Sequence, residues 1–150
     1  AIGSSNREES LQNPWSSDER STMIELWLSE SGIQDAEIVS IPDIEDPPNW
    51  VAHAEQYHGM AGVLFTSDVP SAELYGEAGW QVMTTPLDNR ESFEGWRVRE
   101  TARMLSTIGD EEAVRAVLSQ TVPSVVVEYM VRNDALRRLA FLGEGGEPGG

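Results

Sequence analysis

The first half of the chain has one segment in which apolar residues recur with helical spacing, between residues 16 and 32. The apolar positions on the same helical face are Met23, Ile24, Trp27 and Leu28. Ser16 and Glu19 have the spacing of a capping box, in which each side chain bonds the backbone of the other residue. The pattern therefore predicts a helix that starts after Ser16 and ends at Gly32.

Short apolar segments separate this helix from the helices that follow. Strands are predicted at residues 1–5, 36–41, 61–65 and 80–83. The run 61–65 is apolar at nearly every position, which is typical of a strand covered on both faces of its sheet. Further helices are predicted at 50–57, 68–79, 95–106, 110–120 and 123–142. Residues 1–142 are thus expected to form one domain, followed by a Gly-rich disordered tail at 143–150.

The alternation of strands and helices predicts an α/β fold, with a doubly wound parallel sheet and a carboxy-terminal helical segment. Polar residues follow each predicted strand: Ser4, then Asp43, then the Thr66-Ser67-Asp68 run, then the loop around Arg90. Because the carboxyl ends of parallel strands lie at one edge of the sheet, these residues are expected to converge on a ligand crevice.

The composition limits the possible functions. The chain has 150 residues, no cysteine, no apolar run long enough to span a membrane and no signal-peptide pattern. Disulfides and cysteine nucleophiles are therefore excluded, and the lack of cysteine is compatible with the cytoplasm.

Charge is the strongest compositional feature. The chain has 26 acidic and 10 basic residues, a net charge of −16 and no lysine. This charge repels nucleic acids and anionic membranes, so neither is an expected partner. Acid enrichment without lysine is typical of proteins from a cytoplasm with molar salt, where screening weakens repulsion. The alternative is an acidic protein from a GC-rich genome, in which codon usage favours arginine.

Arginines are concentrated late in the chain, where four of the ten lie between Arg90 and Arg103. Arg97 and Arg99 fall in the first turn of a predicted helix, directly after Gly95. A helix N-terminus offers free N–H groups and positive potential, so this segment is a candidate phosphate site. The alternative is ordinary surface pairing of Glu94 with Arg97 and of Glu100 with Arg103.

Other candidate residues carry weaker signals. His53 and His58 are five residues apart, which does not suit a metal pair on one helical face. Asp43, Glu45 and Asp46 could bind a cation, but a solvated acidic loop is the favoured interpretation, and no metal site is predicted. Trp50 follows a double proline and is either a stacking platform for a ligand ring or a core residue.

A series of short motifs resembles the archaeal nicotinamide mononucleotide adenylyltransferases over roughly residues 1–132. The family's patterns I-G-S, N/D-P-F, G-E-R and D-I-x-x-x-x-x-W-V are similar to segments at 2–4, 13–15, 19–20 and 43–51. Thr66-Ser67-Asp68 stands where the family has S-G-N, and Gly79 to Val82 where it has G-Y-E-V. Residues 90–99 stand where it has R-x-x-x-S-G-T-x-V-R.

The resemblance implies a nucleotidyltransferase that transfers AMP from ATP to nicotinamide mononucleotide, with Mg²⁺, giving NAD and pyrophosphate. It implies that Gly95 and Arg99 bind the ATP phosphates, with Arg99 as the catalytic residue, and that Trp50 stacks on nicotinamide. The other implied pocket residues are Ser4, Asp43, Ser67, Asp68 and Arg90. A cytoplasmic homo-oligomer, a hexamer in relatives, is also implied.

Four departures from the family pattern bear on activity. The family's H-x-G-H motif has no counterpart, and the chain is expected to begin after the first strand and first helix that flank it. The chain alone is therefore expected to be inactive. Trp96 stands in place of a threonine, Asp68 in place of an asparagine and Glu9 in place of a frequent histidine. The alternatives are a related adenylyl- or cytidylyltransferase with another acceptor, and a degenerate binding or oligomerisation module without catalytic activity.

Overall fold

The computed structural model of the protein describes residues 1–86 and 94–143. The first four helices are α1 (Ser17–Glu30), α2 (Trp50–His58), α3 (Val69–Glu77) and α4 (Gly95–Leu105). Two more follow, α5 (Glu111–Leu118) and α6 (Ser124–Arg132). The strands are β1 (Val63–Thr66) and β2 (Gln81–Thr84), and short 3₁₀ turns occupy Pro47–Asn49 and Arg137–Ala140.

Side-chain caps set the starts of three helices. Ser16 and Glu19 form the predicted capping box: the Glu19 amide donates to Ser16 Oγ at 3.2 Å, and the Ser16 amide donates to Glu19 Oε2 at 2.9 Å. Asp68 caps α3 and Asp110 caps α5, each by accepting one or more hydrogen bonds from backbone amides of the first turn with its carboxylate. These caps satisfy amides that have no partner inside the helix, which is why the sequence located these starts correctly.

Two parallel pairings form the sheet part of the fold, which confirms the α/β class with parallel strands. β1 pairs with β2, and Ile2 pairs with Ser40 in a separate parallel bridge. Ile2 donates to the Val39 carbonyl at 2.7 Å and accepts from the Ile41 amide at 2.8 Å. The predicted strands at 1–5 and 36–41 are thus shortened to this bridge, because Ser4 has a φ of 51° and leaves the extended conformation.

Helices α2 and α3 cover one face of the β1–β2 pair. The buried residues of this first core are Ile41, Val51, Ala54 and Tyr75. Leu64 and Val82 pack against them from the strands, whereas Phe65 is 64% exposed and Met83 is 47% exposed on the opposite face. The prediction that 61–65 is covered on both faces is therefore wrong. Alternate strand residues point to opposite faces, and in the described part the helices cover only the Leu64 and Val82 face.

A second core joins the helices of the carboxy-terminal half to α1. Its most deeply buried members are Ala102, Leu118, Val127, Ala135 and Leu139. Helix α1 contributes Met23, but Ile24 and Trp27 are 38% and 42% exposed, so the predicted apolar face of α1 is only partly covered.

The predicted helix over 123–142 is interrupted. Helix α6 ends at Arg132, and Asp134 has a φ of 53°, a left-handed conformation that Asn and Asp adopt more readily than most residues. The Asn133 side chain donates to the Tyr129 carbonyl at 2.8 Å, and the Ala135 amide donates to the Met130 carbonyl. The chain therefore turns at 133–134 before the 3₁₀ turn begins. Residues 144–150 of the predicted tail lie outside the described residues.

Candidate functional site

Ser4 and Asp43 meet where the two paired amino-terminal segments end. Ser4 Oγ donates to Asp43 Oδ2 at 2.8 Å, although the residues are 39 positions apart. Ser4 is buried, and its left-handed backbone turns the chain immediately after the bridge at Ile2. The structure thus brings together the polar residues that follow the first two predicted strands.

Two residues of the following loop complete the contacts of Asp43. Arg7 Nε donates to Asp43 Oδ2 at 2.7 Å. The Asn6 side chain exchanges two hydrogen bonds with the Asp43 backbone, accepting from its amide at 2.8 Å and donating to its carbonyl at 3.2 Å. Asn6 and Arg7 were not predicted as site residues, because nothing in the local pattern distinguishes them from other polar loop residues.

The carboxylate of Asp43 is held in its ionised form. Burial by itself would raise the pKa of Asp43, but hydrogen bonds from Arg7 and Ser4 and the Arg7 charge outweigh burial, and the pKa is lowered. The Ser4 hydroxyl and Arg7 Nε both donate to Oδ2. A hydrogen bond from the Ser4 backbone also lowers the pKa of Asp43. Oδ2 accepts the side-chain hydrogen bonds of Ser4 and Arg7, and Oδ1 is the second acceptor atom of this ionised group.

Arg20 on α1 lies beneath the same segment. Its Nη1 donates to the Gly3 carbonyl at 2.9 Å and its Nη2 donates to the Ser4 carbonyl at 3.2 Å. Its Nε is buried and has no partner among the described residues. Burial lowers the pKa of Arg20, and the nearby charge of Asp43 partly offsets this effect. Arg20 thus holds the strained turn at Ser4 through two backbone carbonyls.

Trp50 opens α2 and is half-buried against the first core. Its ring centroid lies 5.8 Å from that of His53, and His53 Nε2 is 2.9 Å from the Pro42 carbonyl oxygen. His53 therefore joins α2 to the residue that precedes Asp43. Both interpretations of Trp50 agree with this position, since the indole packs on core residues and is still partly exposed.

Ser67 and Asp68 lie in the turn between β1 and α3 and are both exposed. Asp68 Oδ2 accepts from the Ser71 amide at 2.9 Å, and the Asp68 amide donates to Thr66 Oγ1 at 3.1 Å. One carboxylate oxygen of Asp68 is therefore engaged in capping α3, a local role in addition to the pocket role that the sequence suggested.

The guanidinium of Arg99 folds back over the N-terminus of α4. A Cβ atom at Gly95 would lie only 3.1 Å from Arg99 Nη1, so the missing side chain of Gly95 gives this group its space. Arg99 is half-buried, its pKa is lowered by burial, and it forms no hydrogen bond or ion pair within the described part of the chain. A cation and free helix amides thus lie next to each other, an arrangement suited to an anion.

Arg97 behaves differently from Arg99. Its Nε donates to Glu94 Oε2 at 2.9 Å, and its guanidinium lies 4.6 Å from the centroid of the Trp96 ring. The alternative interpretation as a surface pair is therefore correct for Arg97. Arg90, the remaining candidate of this segment, lies outside the described residues.

The described residues include no group of three or more His, Asp or Glu side chains placed to hold a metal ion. Among the helices of residues 1–86 and 94–143, none is long and apolar enough to cross a membrane.

Comparison with known proteins identifies relatives over most of the chain. No protein-family model matches it. The nicotinamide-nucleotide adenylyltransferase of Picrophilus torridus is 32% identical over 98 residues, which is 65% of this chain and 58% of the relative. The enzymes of the same name from Ignicoccus hospitalis and Thermoplasma volcanium are 29% and 28% identical over 94% of this chain, covering 78% and 74% of their own lengths.

The matched region thus spans between 58% and 78% of the length of these three relatives. In two of them it includes 94% of this chain. The chain therefore resembles nicotinamide-nucleotide adenylyltransferases over 65% to 94% of its length, at 28% to 32% identity.

Proposed function

We propose that this chain forms part of an enzyme that transfers AMP from ATP to nicotinamide mononucleotide, giving NAD and pyrophosphate. The names of the relatives support this reaction, and the chain matches 58% to 78% of their lengths. The observation that carries the proposal is the ionised Asp43, whose Oδ2 is held by Ser4 and Arg7 at the end of the two paired amino-terminal segments.

The mononucleotide is proposed to bind beside Asp43. Its hydroxyl or amide hydrogens would donate to the Asp43 carboxylate, whose Oδ2 also accepts from Ser4 Oγ and Arg7 Nε. Ser4 would orient the carboxylate, and Trp50 would stack on the nicotinamide ring with its exposed part. Ser67, Asp68 and Arg90 complete the proposed pocket.

The ATP phosphates are proposed to bind at Gly95 and Arg99. The mononucleotide phosphate attacks the α-phosphorus of ATP, a new P–O bond forms, and the bond to pyrophosphate breaks. This transfer needs no protein nucleophile, so the protein contributes position and charge. Arg99 is the proposed catalytic residue because its guanidinium has no carboxylate partner among the described residues and lies at a helix N-terminus.

Mg²⁺ is the proposed cofactor and would accompany ATP. Mg²⁺ in such reactions keeps several waters and is held largely by substrate phosphates, with one or two carboxylates. When bound, the ion would neutralise phosphate charge during the transfer.

A cytoplasmic, homo-oligomeric protein adapted to high salt is part of the same proposal. The net charge of −16 and the absence of lysine support the salt adaptation and argue against nucleic-acid or anionic membrane partners. Oligomerisation is proposed by resemblance to the family, in which hexamers occur.

The test measures mononucleotide binding by calorimetry in buffered molar KCl. Trp50→Ala should weaken binding of nicotinamide mononucleotide about tenfold, the loss expected for roughly 1.4 kcal/mol of stacking. ATP binding should be unchanged. Trp27→Ala is the matched control, because Trp27 is 42% exposed on α1 and is not a residue of the proposed pocket.

Three outcomes decide between the possibilities. Equal weakening of both ligands by Trp50→Ala would mark Trp50 as a core residue and not a stacking platform. Binding of another mononucleotide in place of nicotinamide mononucleotide would identify a related transferase with a different acceptor. Failure of the unmodified chain to bind either ATP or any mononucleotide would support the non-catalytic module.

A further inference from the structure

The loop that supplies Asn6 and Arg7 to Asp43 has little structure of its own. This site loop, residues 5–16, contains no helix or strand. Its internal hydrogen bonds include a reciprocal pair between the backbones of Ser10 and Asn13, at 3.1 and 3.2 Å. A loop of this length without regular structure keeps one conformation only if contacts from elsewhere hold it.

The last described segment of the chain provides such contacts. This carboxy-terminal clamp, residues 135–143, meets the site loop at three places. The Leu11 amide donates to the Gly143 carbonyl at 2.8 Å. The indole N–H of Trp15 donates to the Ala135 carbonyl at 3.1 Å in a buried contact. The third contact is made by Arg138 and is the only charged one of the three.

Arg138 binds two carboxylates at once. Its Nη1 and Nη2 donate to the two oxygens of Glu19 at 2.9 and 2.7 Å, and Nη1 also donates to Glu9 Oε2 at 3.1 Å. The side chains of Arg138 and Glu19 are only 30% and 18% exposed, so solvent screens this pair less than a surface pair. The fork of the guanidinium fixes direction as well as distance.

The first route from Arg138 to the site follows the site loop. Glu9 is two residues from Arg7, and Arg7 donates to Asp43 at 2.7 Å. Holding Glu9 therefore limits the positions that Arg7 can take. Arg7 itself is 53% exposed, so its side chain gains little order from burial.

The second route follows α1. Glu19 is held by Arg138, and its neighbour Arg20 donates to the carbonyls of Gly3 and Ser4. Ser4 in turn donates to Asp43 Oδ2. Both routes from Arg138 end on the same carboxylate, although Arg138 lies 95 positions after it in the sequence.

We propose that Arg138 is a positioning residue for the mononucleotide pocket, acting through Glu9 and Glu19 on the arrangement around Asp43. The pocket itself rests on the proposed function. Arg138 need not touch the ligand. Its effect is to keep the site loop and the start of α1 in the conformation in which Arg7 and Ser4 donate to Asp43.

The experiment compares Arg138→Gln with the unmodified chain by NMR and calorimetry in molar KCl. Loss of the Arg138 contacts with Glu9 and Glu19 should accelerate amide hydrogen exchange at residues 6–13 about tenfold or more. The paired amides of Ile2 and Ile41 should keep their protection. The NMR titration of the Asp43 carboxyl should move towards the ordinary value, because Arg7 is no longer held against it. Binding of nicotinamide mononucleotide should weaken about tenfold.

Matched variants separate positioning from general stability. Arg132→Gln removes a similar charge whose partner, Glu128, lies on the same helix, and it should leave loop exchange and ligand binding unchanged. Arg138→Lys should keep part of the loop protection and part of the mononucleotide affinity. The recovery is only partial because a single ammonium cannot bind both oxygens of Glu19 as the guanidinium does. Glu9→Gln leaves the Arg138 contact with Glu19 intact and should accelerate loop exchange only in part.

The outcomes distinguish this inference from the proposed function. If the unmodified chain does not bind the mononucleotide, the proposed function fails, and the Asp43 titration and loop exchange still decide whether Arg138 positions this site. Unchanged exchange and an unchanged Asp43 titration in a folded Arg138→Gln chain would overturn the inference. Equal acceleration of exchange throughout the chain would also overturn it, since that result indicates general destabilisation.

Discussion

Arg99 offers a test in which function and stability should respond differently. The substitution is Arg99→Met, which keeps the unbranched apolar stem and removes the charge. Arg99 makes no hydrogen bond or ion pair within the described residues, so its removal leaves no described partner unsatisfied. Burial lowers its pKa, which means that folding disfavours its charged form. We therefore expect the free energy of unfolding to change by less than about 1 kcal/mol.

Binding of ATP should respond far more strongly. A hydrogen bond to a charged group contributes roughly 1.5–3 kcal/mol, so losing the guanidinium should raise the Kd for ATP with Mg²⁺ roughly 10- to 150-fold. Calorimetry measures the affinity, and urea unfolding followed by circular dichroism measures the stability. Both experiments use the same buffer in molar KCl, because salt changes the screening of phosphate charge.

Arg103→Met is the control for Arg99→Met. Arg103 is on α4, about one turn further on, and its side chain is exposed. Arg103→Met should change the Kd for ATP by less than about twofold, because Arg103 lies about two turns from the N-terminus of α4. Unchanged ATP affinity in Arg99→Met would refute the phosphate role, as would an equal loss in Arg103→Met. A loss of more than about 2 kcal/mol in unfolding free energy would instead identify Arg99 as a structural residue.

Two further predictions concern charge. Arg7→Ala should raise the pKa of Asp43, which Arg7 and Ser4 hold below its ordinary value; NMR titration of the carboxyl carbon measures this, and an unchanged titration would contradict it. Because the folded-state pKa is lowered, Asp43 contributes stability above its unfolded pKa, and this contribution is lost as pH falls through the folded value. The net charge of −16 predicts that the thermal midpoint rises between 0.1 and 1 M KCl, as the Debye length falls from about 10 to 3 Å; a constant midpoint in a scan of circular dichroism would be evidence against salt adaptation.

The sequence alone was sufficient for features that depend on neighbouring residues. The capping box of Ser16 and Glu19, the cap at Asp68 and the start of α4 at Gly95 are all present where the pattern predicted them. The order of strands and helices, and the resemblance to nicotinamide-nucleotide adenylyltransferases, also followed from the sequence. Each of these signals lies within a few residues, because caps and helical periodicity act over one or two turns.

The break after α6 shows where a local pattern is not sufficient. Apolar residues continue past Arg132, and periodicity alone extended the helix to 142. In the structure Ala135 is fully buried in the second core and its carbonyl accepts from Trp15, which is 120 positions earlier. Asn133 and Asp134 tolerate the turn that makes this contact possible. Packing of Ala135 in the second core, and not helix propensity, thus selects the turn at 133–134 over a continuous helix.

The arrangement of the site depended entirely on tertiary structure. The sequence indicated that Ser4 and Asp43 would lie at one sheet edge, but it carried no signal for Arg7 or for the clamp at Arg138. Contacts that join residues 36 and 119 positions apart, such as Arg7 with Asp43 and Arg138 with Glu19, arise only when the chain is folded. A charged side chain in a loop can pair with any of the 26 acidic residues of this chain, and the fold decides which of them comes within hydrogen-bond distance.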